Sequence, residues 1–215
     1  MKTSRLMIEM TNVNVVVNDI QLLPRTNLGA TAGQVTAIRG HNGSGKSTLL
    51  RVLDGSYAPT EGSALVAGRD PRLRDAKSRR CTASMIGLPP MAPDLTVRDH
   101  VELVASTWYD DAEEVSDAAD GILELLRLRD LDKRFPHELS SGQMQLFGLA
   151  LILVRPSEVL LLDEPEQRLD PQRLGYVIDA LRQVRDAGTA IIIATHSDVL
   201  SSELADSVVW LRATG

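Results

Sequence analysis

A chain of 215 residues with 43% hydrophobic and 24% charged side chains can bury one sizeable core and is too apolar to be disordered. Its formal charge of −6 excludes a broadly basic surface for nucleic acid, so any phosphate site has to be local. The single cysteine, Cys81, excludes an internal disulfide and fits a reducing compartment. Apolar runs fall short of the roughly 20 residues of a spanning helix, and the opening MKTSRLMIEM lacks the apolar region of a secretory signal.

In chain order, LMIEMTNVNVVV (residues 6–17) is rich in Val and Ile with partial alternation, which predicts strand. GQVTAI (33–38) is a short apolar strand running into glycines, KSTLLRVLDG follows as a helix with Gly55 as its stop, and GSALVAG (62–68) is a further strand. From 94 to 139 the composition turns acidic and helix-forming, and ILELLRL sets Ile122, Leu125 and Leu126 on one helical face. This reads as a helical insertion of about 92–139 within a core of about 1–90 and 140–215. Inside it, Trp108 and Tyr109 are candidates either for a partner contact or for packing, and His100, like His137, reads as a packing residue. The basic run 69–80 and the acidic run 109–120 read as solvated segments. After Leu139 come a helix, EVLLLDE, a helix around 174–187, and TAIIIATH. VLLL and AIII are apolar on both faces, the mark of a parallel sheet covered by helices on each side.

GHNGSGKS (40–47) fits G-x-x-x-x-G-K-[ST] directly after a strand and directly before a helix, the context that motif demands. Gly40, Gly43 and Gly45 let backbone N–H groups curl round a phosphate without Cβ clashes; His41, Asn42, Ser44 and Thr48 complete the cradle, His41 through its backbone. Lys46 reaches the terminal phosphates as a point charge, and the Ser47 hydroxyl is a ligand for Mg²⁺. VLLLDE (159–164) puts two carboxylates at the end of a buried strand. Asp163 is placed to orient the Mg²⁺ shell and Glu164 to polarise an attacking water. These features describe a nucleoside triphosphatase.

ELSSGQMQL (138–146) offers hydroxyls and a glycine at the start of a helix, where unpaired N–H groups and the positive dipole end suit an anion. LSSGQ (139–143), shortly before VLLLDEP, resembles the L-S-G-G-Q signature of ABC-type ATPases. RLDP (168–171) resembles their D-loop, and IIIATHSD (191–198) resembles the strand and switch histidine that follow. The resemblance implies an α/β P-loop NTPase fold: a RecA-like parallel core sheet, an antiparallel β subdomain and an inserted α-helical subdomain. It implies ATP and Mg²⁺ as cofactors and two nucleotide-binding domains, as homo- or heterodimer, packed head to tail. Ser140, Gly142 and Gln143 of one chain would then close on ATP held by the other, with Asp170 at the seam and His196 positioning the attacking water with Glu164. It also implies a separate integral-membrane permease, a cytoplasmic location on the inner face of the membrane, and no nucleic acid as partner. The alternatives are a hydrolysis-impaired partner in a heterodimer and a non-transport ABC-type ATPase.

The sequence departs from the pattern in four places. The family's adenine-stacking aromatic aligns with Val17, and no Gln lies between Lys46 and Gln143, Met91 standing at the relay position. A thioether is a poor substitute for an amide on a hard cation. Ser141 replaces a signature glycine, and Glu166 to Arg168 replace small residues before the D-loop. Both changes face the expected seam and raise pairing with a different chain, or slow cycling, as readings.

Overall fold

The computed structural model describes residues 5–73 and 75–212; Arg74 of the basic run and the first four residues of the N-terminal stretch lie outside them. The elements run β1 (Leu6–Val17), β2 (Ile20–Thr31), β3 (Val35–Arg39), α1 (Lys46–Leu53), β4 (Glu61–Val66), α2 (Ala76–Cys81), β5 (Thr82–Met85), α3 (Val97–Ala105) and α4 (Ala112–Leu125). They continue with α5 (Ser141–Leu153), β6 (Val159–Asp163), α6 (Pro171–Asp186), β7 (Ala190–Ala194), α7 (Asp198–Leu204) and β8 (Ser207–Trp210). Two compact units result, one of residues 1–86, 157–164 and 182–215, the other of residues 87–156 and 165–181.

The first unit holds both sheets. A five-stranded sheet has the order β5-β6-β7-β3-β8, with every pair parallel. Its central strands are buried on both faces, as their unbroken apolar runs require. The second sheet, β2-β1-β4, is antiparallel. β2 is absent from the sequence reading because IQLLPRTNLGAT alternates poorly and contains Pro24. Pro24 is tolerated because β2 is an edge strand. The hairpin closes through Asn18 and Asp19, at φ 50° and 62°, the primed turn that matches strand twist. One core serves both sheets and α1: Ile8, Val13 and Leu23 pack with Leu49, Leu50 and Leu53 and with Leu161 and Ile192. Each such buried side chain stabilises by about 1.5–3 kcal/mol.

The second unit is helical. Thr96 and Asp99 form a reciprocal cap on α3, and Asp111 caps α4, whose first turn carries Glu113 and Glu114 toward the positive dipole end. The acidic run is thus largely the start of a helix. α4 buries Ala119, Ile122 and Leu123 rather than Leu125, and Leu126 is buried just past its last turn. Arg98 of α3 joins Glu102, Asp120 of α4 and Asp132. α5 is buried almost all round, with Phe147 fully enclosed. His100 meets Phe147 edge-on at 5.3 Å. Its Nε2 accepts from the Ala92 N–H at 2.9 Å while Nδ1 lies 2.7 Å from the Thr96 carbonyl. That pairing fixes the Nδ1–H tautomer and ties down the loop carrying Met91. Trp108 lies under the Arg155 guanidinium, 5.0 Å away, and the Tyr109 hydroxyl faces the Val154 carbonyl at 3.5 Å, so both aromatics pack against the end of α5 within this unit. His137 is exposed and stacks on Phe135. No helix among the described residues is long and apolar enough to cross a membrane.

Candidate functional site

Three adjacent strands, β6, β7 and β3, end side by side, so the segments leaving their carboxyl ends converge, as ligand-binding segments of parallel sheets do. Beyond the strands, the Glu164 N–H donates to Ala194 and the Thr195 N–H to Ile38. The loop after β3 needs its glycines. Gly45 caps α1 at φ 98°, and a Cβ there would sit 2.6 Å from the Leu22 carbonyl; at Gly40 a Cβ would meet Ser44 Oγ at 2.4 Å. With no side chain at the cap, the first-turn N–H groups of α1 remain available to an anion.

Lys46 is only 6% exposed and donates to the Gly40 and His41 carbonyls at 3.0 and 3.1 Å. Burial pulls its pKa down, opposed by the nearby Glu164 and Asp163 carboxylates. Burial pushes Asp163 up, opposed by a hydrogen bond from Ser47. Glu164 leaves β6 in the left-handed region at φ 48°, a conformation costing a side-chain-bearing residue about 1–3 kcal/mol. Its Oε1 lies 3.4 Å from His196 Nε2. An open pocket of about 470 Å³ is lined by Asn42, Gly43, Gly45, Lys46, Ser47, Thr48 and Glu164 and, from the β1–β2 hairpin, by Ile20, Gln21 and Leu22.

Of the predicted residues, 40–48, Asp163, Glu164 and His196 therefore gather in the first unit. Ser44 is a partial exception: its hydroxyl is buried inside the loop, which leaves only its backbone for a ligand. Val17 is 46% exposed near the hairpin turn. The hairpin residues of the pocket escaped sequence reasoning because β2 did.

In the second unit, Ser140 caps α5: its hydroxyl accepts from the Gln143 N–H at 3.3 Å, and Gln143 Oε1 accepts from the Ser140 N–H at 2.8 Å. The hydroxyl hydrogen of exposed Ser140 is thereby left to donate outward, whereas the Gln143 carbonyl is used within the turn. Gly142 is buried where a Cβ would come 3.0 Å from the Arg168 carbonyl, so the turn packs against the segment leading to Asp170. Asp170 is exposed, accepts from the Arg173 N–H at 2.8 Å and pairs with the Arg173 guanidinium. These contacts hold its carboxyl below the usual range.

The model of the ABC transporter family matches residues 23–167. The methionine import ATP-binding protein MetN of Cupriavidus metallidurans is 32% identical over 91% of this chain and 58% of its own length. The glutamine transport ATP-binding protein GlnQ of Bacillus subtilis is 32% identical over 95% of this chain and 86% of its own. The chain thus spans about three fifths of the methionine-import relative it matches. Among solved structures, a dimeric bacterial ABC transporter cassette superposes with a TM-score of 0.85 at 25% identity, covering 96% of this chain and 94% of that one. A dimeric cassette in a post-hydrolysis state with ADP and phosphate has the same TM-score at 23% identity, over 97% of both chains.

Proposed function

Because the chain belongs to the ABC transporter family, we propose that it is the ATP-binding and ATP-hydrolysing subunit of a transporter, energising a separate transmembrane permease from the cytoplasmic face. The observation that carries this is a pocket lined by the phosphate loop and Glu164, with His196 Nε2 3.4 Å from Glu164 Oε1 and Asp163 hydrogen-bonded to Ser47 of the loop. Backbone N–H groups of the loop and the α1 terminus hold the phosphates, and Lys46 moves from the loop carbonyls to phosphate oxygens. Ser47 and Asp163 are hard oxygen donors already in contact, which fits Mg²⁺. Among the described residues no three His, Cys, Asp or Glu side chains are grouped so as to hold a metal ion, so the ion would complete its shell with phosphate and water oxygens. Bound there, Mg²⁺ supplies charge neutralisation on the phosphates.

Glu164 Oε1 accepts hydrogen from the attacking water, and His196, with Nε2 only 3.4 Å from that oxygen, is near enough to bond the same water beside it. The adenine ring would meet the hairpin residues Ile20, Gln21 and Leu22, which line the pocket, rather than an aromatic side chain. The site closes when a second copy lays its Ser140 turn on the terminal phosphate, donating the Ser140 hydroxyl, the Gly142 N–H and the α5 dipole. Support for self-pairing comes from the dimeric cassette that this chain resembles at 25% identity. Exposed Ser141 and Arg168 favour a second reading, in which the partner is a different nucleotide-binding chain.

Glu164→Gln tests the assignment. It keeps the shape and removes the proton acceptor, so phosphate release is expected to fall by about 10²–10⁴-fold with ATP binding retained. An unchanged rate excludes Glu164 as the base.

A further inference from the structure

Arg39 closes β3, immediately before the phosphate loop, on a strand whose preceding residues are all buried. Its side chain is 17% exposed and its Nη1 lies 2.6 Å from Asp198 Oδ1. Its Nη2 donates to the His196 carbonyl at 3.3 Å. One face of the guanidinium is covered by Trp210, 5.0 Å from the ring centroid and its register partner on β8. A planar, rigid guanidinium can hold two acceptors in fixed directions while stacking a face on a ring, a geometry that a compact ammonium does not reproduce. The segment it grips starts at buried Thr195, whose N–H donates to the Ile38 carbonyl, and comes to the surface at His196 and Asp198. Placing a partly buried charge at the end of an apolar strand is costly unless it is paired; here each partner lies on, or packs beside, the histidine segment.

We propose that Arg39 is a positioning residue for His196: it clamps the segment after β7 to the strand that feeds the phosphate loop, so that the imidazole stays 3.4 Å from Glu164. The proposal rests on the reading of His196 as the residue that orients water, and it adds the device that keeps it there.

The test is steady-state phosphate release by the full chain against ATP concentration, for wild type, His196→Ala, Arg39→Met, Arg39→Lys and the Arg39→Met/His196→Ala double variant. Arg39→Met is expected to lower kcat about tenfold with KM within twofold, Arg39→Lys to recover part of the loss, and the double variant to be no slower than His196→Ala alone. Asp198→Asn, at a carboxylate 89% exposed and so without risk to the fold, removes one grip and should lower kcat by a smaller factor. An Arg39→Met enzyme with unchanged kcat, or a double variant slower than His196→Ala, overturns the proposal while leaving the function intact. A His196→Ala chain at full rate overturns the underlying reading of His196 instead.

Discussion

At the scale of single residues, the site keeps two opposite charges in poor solvent. Burial raises the pKa of Asp163 and lowers that of Lys46. An acid whose folded pKa is raised contributes stability below its unfolded value and loses it as pH rises through the folded one; for Lys46, with its folded pKa lowered, stability is lost as pH falls through the folded value. Above the ordinary carboxylate range, buried Asp163 therefore burdens the nucleotide-free fold. Asp163→Asn should raise its melting temperature by a few degrees and abolish the extra stabilisation that Mg²⁺ adds to ATP, both readable by thermal denaturation. A lowered melting temperature would show that the carboxylate supports the empty fold. Legibility at this scale was uneven. The glycines, Lys46, Asp163 and Glu164 are written in local spacing, but the Arg39 clamp arises from neighbours distant in sequence, to which spacing is blind.

At the scale of elements, β3, β6 and β7 were legible because both faces of each are buried and their apolar runs are unbroken. β2 was not, since an edge strand with Pro24 owes its conformation to β1, and the four-residue β5 and β8 are too short to show a period. On α4 the face shifted from Leu125 to Leu123, because helical spacing defines a stripe but not which neighbour covers it. The helical unit also depends on a cation that the apolar pattern does not reveal. Arg98, 27% exposed, joins α3 to α4 and to Asp132, and its hydrogen bond holds the Asp120 carboxyl below the ordinary range. Arg98→Met leaves three carboxylates facing one another and should cost roughly 2 kcal/mol, measured by urea unfolding at neutral pH. The stabilisation from Asp120 is full above the ordinary carboxylate range and is lost as pH falls through its lowered value. Arg98→Met should therefore weaken that acid-side loss, and an equally steep loss would point to other groups.

At the scale of the whole molecule, the two halves of the chemistry lie in different compact units. The first unit carries the phosphate loop and the Glu164–His196 pair, and the second presents the Ser140 turn, with Gly142 packed beside Arg168. In the function we propose, each active site joins the loop of one copy to the turn of another. Two variants break one half each. Lys46→Ala removes the phosphate contact, while Ser140→Asp keeps the α5 cap, since Asp is an equally good N-cap, and sets a negative charge against the phosphate. Each alone should be inactive. Phosphate release by their equimolar mixture is the most direct measurement: a mixed dimer carries one site made of two intact halves, so random pairing should restore about a quarter of the wild-type rate. A mixture no more active than the better of its parents would contradict the account.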